Sequence, residues 1–104
     1  MTILELKNKL ESTGYPVAYS HFNEYIEAPF ITYREVGSDN FNADNNTYHD
    51  VKDFDIEVYT TIKDLMVELA IESILKDNEI PYEVYETYIE DEKLFQKVYE
   101  MRML

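Results

Sequence analysis

The run Phe54-Asp-Ile-Glu-Val-Tyr59, preceded by Asp53, alternates apolar and charged residues without a break. In an extended chain successive side chains point to opposite faces. Phe54, Ile56 and Val58 therefore share one face, and Asp53, Asp55 and Glu57 share the other. Helical winding would scatter both sets, so the chain must build a sheet with an apolar face turned to a core. The opposite face must meet water or something tolerant of negative charge. A second strand, Phe30-Ile-Thr-Tyr-Arg-Glu-Val36, is expected to pair with it antiparallel. Between the two lies Gly37-Ser-Asp-Asn-Phe-Asn-Ala-Asp-Asn-Asn-Thr-Tyr-His49, polar and rich in Asn and Asp, which reads as a long loop at about 37–50. So long a loop in a small domain points to a contact role. Phe41 with its neighbours Asn40, Asn42 and Asp44 is the expected contact point.

Around these strands the other elements follow local signals. Thr2 and Glu5 form a capping-box pattern ahead of Ile3, Leu6 and Leu10, and Gly14 with Pro16 should end that helix. Val17–Ser20 reads as a short strand. Thr61 and Asp64 repeat a capping pattern, and a helix is expected from about Ile62 to Asp77, with Asn78 ending it in the left-handed region before Pro81. Its polar residues Asp64, Glu68, Glu72 and Lys76 make one stripe, and nearly all the rest is apolar, so cover on two sides is expected. Tyr82–Ile89 and Leu94–Met103 read as a hairpin across Glu90-Asp-Glu-Lys93. The expectation is a single α+β domain over 1–104: one mostly antiparallel sheet of four to five strands packed with two helices, in the order helix, strands, helix, hairpin.

Charge narrows function. Nine basic residues stand against twenty-two acids in 104 residues, a formal charge of −13. Such a surface repels phosphate backbones and anionic membranes, which argues against sequence-specific nucleic-acid binding and membrane association. The absence of cysteine suits an intracellular origin and removes thiolate chemistry. No apolar run reaches membrane-spanning length.

Four places in the chain bear on chemistry. Asn40, Asn42 and Asp44 occupy the first, third and fifth places of an EF-hand-like loop, but Asn45 replaces the required glycine and Val51 the bidentate glutamate. The row Asp53, Asp55, Glu57 reads as a solvated strand face, lacking the asymmetric burial that separates a catalytic acid from its base. Asp91-Glu92-Lys93 falls in a turn, unlike a metal-dependent nuclease site. His21 and His49, the only histidines, are far apart in sequence and read as surface or loop residues. Neither an enzyme, a metal nor a cofactor is expected. Ten tyrosines, combined with a helix apolar nearly all round, favour a subunit interface instead.

The segments Tyr33–Asn45, Phe54–Asp64 and Glu86–Glu100 resemble the tail-completion, or tail-terminator-like, proteins of long-tailed bacteriophages and prophages. That resemblance implies a non-enzymatic virion subunit forming a ring, commonly a hexamer, that caps the tail tube and meets the head connector. It implies assembly in the host cytoplasm, residence in the virion neck, and no catalytic residues. In such a ring Asp53, Asp55 and Glu57, or the acids from Glu83 to Glu92, would line the DNA channel. Two other readings stay open: a head-completion or minor capsid subunit at the connector, and an acidic inhibitor that mimics DNA.

Overall fold

A computed structural model describes residues 1–43 and 46–103, with side chains outside 38–51. The chain is α+β, with two helices against one five-stranded mixed sheet. Helix α1 spans Ile3–Glu11 and strand β1 Val17–Tyr19; β2 covers Phe30–Ala43 and β3 Asn46–Thr60. Helix α2 (Leu65–Asp77) then crosses to the hairpin of β4 (Tyr82–Ile89) and β5 (Leu94–Met103). The strand order is β1-β2-β3-β5-β4; β1 runs parallel to β2, and every other pair is antiparallel.

Both helices pack on the face carrying Phe54, Ile56 and Val58. Leu6 and Leu10 of α1 and Val67, Ile71 and Leu75 of α2 meet Ile31, Tyr33, Tyr99, Met101 and Met103 there. The expected capping box closes α1: Thr2 Oγ1 accepts from the Glu5 amide at 3.1 Å, and Glu5 Oε1 accepts from the Thr2 amide at 3.1 Å. Gly14 holds φ +87°, the left-handed conformation that lets the chain turn into β1.

Two local expectations shift. Helix α2 begins at Leu65, not near Ile62, because the Asp64 carboxylate accepts from the amides of both Met66 and Val67. At its far end Asn78 stays at φ −99°, and Glu79 takes the left-handed turn at φ +55°. The Asn78 side chain instead donates to the Ile74 carbonyl at 2.8 Å, satisfying one of the helix's last acceptors.

The largest correction concerns 37–50, which is not a long loop. The β2–β3 ladder continues from Gly37↔Asp53 through Asn40↔Asp50 and Phe41↔His49 to Ala43↔Asn46, with irregularities between Glu35 and Gly37 and between Phe41 and Asn42. Thr47, Tyr48, Val51 and Phe41 are strand formers, and the ladder begun by Phe30–Glu35 carries the polar residues with it. Beyond Lys52, where pairing to β5 ends, the two strands are each other's only neighbours among the described residues. This ribbon extends a molecule measuring 50 × 28 × 24 Å.

Candidate functional site

On the sheet face away from the helices, the registers set side chains in rows across the strands. One row is Thr32 (β2), Glu57 (β3), Val98 (β5) and Tyr85 (β4); the next is Arg34, Asp55, Glu100 and Glu83. Among the described residues no helix covers this face; the 20–29 segment borders one end, where Phe22 packs edge-on against Phe30. The acids were expected to be solvated here, and two of the three are not. Asp55 is 6% exposed and Glu57 8%, beside Val98 at 2% and Thr32 at 3%. Central position explains it: large side chains from the flanking strands close over β3.

The three acids live in three environments. Asp53 Oδ1 accepts from Arg102 Nε at 2.7 Å near the sheet's end. Glu57 accepts from Thr32 Oγ1 at 3.1 Å and from Gln96 Nε2 at 3.2 Å, with Arg34 Nε 3.7 Å away. Asp55 Oδ1 is buried and accepts no hydrogen bond. Burial pushes the Asp55 carboxyl above its ordinary range, against the pull of the Arg34 guanidinium and with the help of Asp53.

A carboxyl raised in this way favours folding below its unfolded pKa, and that contribution is lost as pH rises through the folded value. Asp55→Asn removes the buried charge and keeps the shape. Its melting temperature is expected to exceed the wild type's by a few degrees at pH 7, where about 1 kcal/mol moves a domain this size by roughly 4–8 °C. The gap should close near pH 4. Thermal melts of both proteins across that range check it, and a variant less stable at pH 7 would contradict it.

On α2 the acid stripe faces the sheet. Glu68, 6% exposed, takes Lys97 Nζ at 2.6 Å and Lys63 Nζ at 2.8 Å, and Glu72 accepts from the Tyr99 hydroxyl at 2.8 Å. Burial would raise the Glu68 carboxyl, but the bonds from Lys63 and Lys97 outweigh it and hold the group below its ordinary value. The opposite side of the helix is apolar and open, with Leu65 62% exposed, Met66 76% and Leu69 59%, and Ile62, three residues ahead of the helix, is 71% exposed. Helical spacing sets Ser73, Lys76 and the exposed Asp77 on the same side, so this surface is apolar over the first turns of α2 and polar at its C-terminal end. Helix α1 shares the core with α2 on the sheet, but among the described residues nothing covers Leu65, Met66 and Leu69.

The other open surface is the edge strand β4. Among the described residues its outer backbone groups have no strand partner, and Val84, Tyr85 and Tyr88 are half exposed. The tyrosines divide: Tyr33 and Tyr99 are core, whereas Tyr19, Tyr25, Tyr85 and Tyr88 reach the surface.

Of the residues expected to form a contact loop, Asn40, Phe41 and Asn42 sit in the β2 ribbon, so they do not form an EF-hand-like loop. Asp44 lies outside the described residues. His49 is in β3 and not in a loop, while His21 is exposed, its Nδ1 3.1 Å from Ser20 Oγ. Ser20 and His21 line a concavity of about 590 Å³ with Tyr25, Phe30, Tyr59 and Glu92. The described residues set no carboxylate against the imidazole, so the pair lacks an orienting acid. Among the described residues no three acids or histidines converge at metal-ligand spacing. The contacts of Lys97, Tyr99, Glu100 and Tyr85 are not legible in the sequence; their signal is the β3–β5–β4 register, which links residues far apart in the chain.

No protein-family model matches this chain, and no curated protein matches it.

Proposed function

We propose that this chain is a non-enzymatic assembly subunit whose copies join into a ring, and that the ring completes the tail of a long-tailed virion. The observation that carries the assembly reading is the outer face of α2. A chain of charge −13 repels its copies least where apolar residues gather, and Ile62, Leu65, Met66 and Leu69 form an exposed apolar surface with an acid, Asp77, at its far end. Apolar residues at such spacing are the usual anchors of a helix laid against a neighbour. A ring closed by head-to-tail contacts needs two different patches on each copy. The α2 stripe supplies one and the open β4 edge, with its exposed tyrosines, the other.

The place of that ring in a virion rests on the resemblance of Tyr33–Asn45, Phe54–Asp64 and Glu86–Glu100 to tail-completion proteins. Asp55 and Glu57 are too buried to present charge to a DNA channel, so the acids of β4 and the 90–93 turn take that role. Assembly then takes place in the host cytoplasm, with the tail tube and head connector as partners. Electron microscopy of particles made without this chain tests the assignment. Tails of uncontrolled length are expected. Normal tails beside DNA-leaking heads would place the subunit at the connector, and unaltered particles would exclude both.

A further inference from the structure

The uncovered sheet face holds a groove of about 540 Å³ whose lining includes Asp53, Asp55, Glu83, Glu100 and Arg102. Register places Asp55 directly opposite Glu100, and Glu100 directly opposite Glu83, with Arg34 alone on the far side of Asp55. Like charges directly opposite in a sheet destabilise it. Three carboxylates in one row with a single guanidinium at the end therefore lack a counter-charge. Asp55 sharpens the deficit, because it is 94% buried and its Oδ1 accepts from no donor, although buried polar atoms nearly always have a partner.

We propose that this groove receives an arginine side chain presented by a basic segment of a different protein. The guanidinium is a planar fork of donors that bonds two carboxylate oxygens at once, and its charge answers the row. Tyr85 stands at the same place: burial first, then the charges of Asp55, Glu100 and Glu57, push its hydroxyl above the ordinary range. Its half-exposed ring offers a face for a cation to lie against. A metal ion fits less well, because the described residues bring no three ligands together. A sister copy is a poor donor: the chain has only two arginines, both on this face, and Arg102 already binds Asp53. The groove does not depend on ring formation and would be present in a monomer.

The test is binding of a blocked Gly-Arg-Gly peptide to the full chain at fixed ionic strength, followed by backbone amide shifts. Its neutral isostere, with citrulline for arginine, serves as the ligand control. Wild type is expected to bind the arginine peptide and not the citrulline one. Affinity should fall at least tenfold in Asp55→Asn and in Glu100→Gln, and stay unchanged in Glu27→Gln, an exposed acid outside the groove. Glu100 is exposed, so its substitution keeps the test valid should Asp55→Asn fold poorly. Absence of binding, equal binding of citrulline, or equal weakening in all three variants would each overturn the proposal.

Discussion

Glu68→Ala is expected to lower the stability of this protein by about 2–3 kcal/mol. The Glu68 carboxylate sits between Lys97 and Lys63 at 2.6 and 2.8 Å and ties α2 to β5. Removing one partner of a buried pair costs about 3–5 kcal/mol, because the charge left behind is uncompensated. The lower figure applies here: Lys63 is 46% exposed, returns to water and keeps Glu86 at 2.8 Å, and Lys97, at 17%, keeps Glu72 at 3.7 Å. A fall in melting temperature of about 10–20 °C follows for a domain this size. The pH dependence carries the sign. Because Glu68 is held below its ordinary pKa, its stabilisation is complete at neutral pH and is lost as pH falls through the folded value. The gap between wild type and variant should therefore narrow below about pH 4.5, the reference region for a glutamate. A constant gap down to pH 3 would mean the loss is packing and not charge.

Tyr99→Ala should cost more, about 3–5 kcal/mol by the scale for buried aromatic truncation. The ring is fully buried at the junction of α2, β3 and β5, with Tyr82 edge-on at 5.6 Å. Tyr99→Phe separates ring from hydroxyl. Burial, then the bond to Glu72, raises the Tyr99 hydroxyl far above its ordinary range, so it stays protonated and donates to Glu72 Oε2 at 2.8 Å. Losing that bond should cost about 0.5–1.5 kcal/mol, since Glu72 is partly exposed and water can replace the donor. Denaturant melts of the two variants check the pair. A Phe variant as damaged as the Ala variant would make the hydroxyl, not the ring, the main stabilising part.

How much of this could be read from the chain depended on how local each cause was. The alternation of 53–59 located the sheet and its core face, and Thr2 with Glu5 located the first helix cap, because strand alternation and capping are set within a few residues. Burial of Asp55 was not legible. It arises from Arg34, Val98 and Tyr85, which only the strand registers bring around it. That the acid stripe of α2 turns to the sheet was not legible, since the sequence does not show that Lys97 and Tyr99 lie beneath it. The stretch 37–50 misled for a related reason: Asn and Asp favour turns locally, but a ladder already running from Phe30 and Tyr59 prevails over that preference. Each miss concerns partners contributed by another element.

Sedimentation velocity of the full chain at rising concentration, beside Leu65→Ser/Leu69→Ser, tests the assembly account most directly. Both leucines are more than half exposed, so the double variant should melt like the wild type while losing the apolar stripe. The wild type is expected to reach one discrete multiple of the monomer mass, six by the resemblance, and the variant to remain monomeric. A wild type that stays monomeric at every concentration, or a variant that assembles equally well, would contradict it.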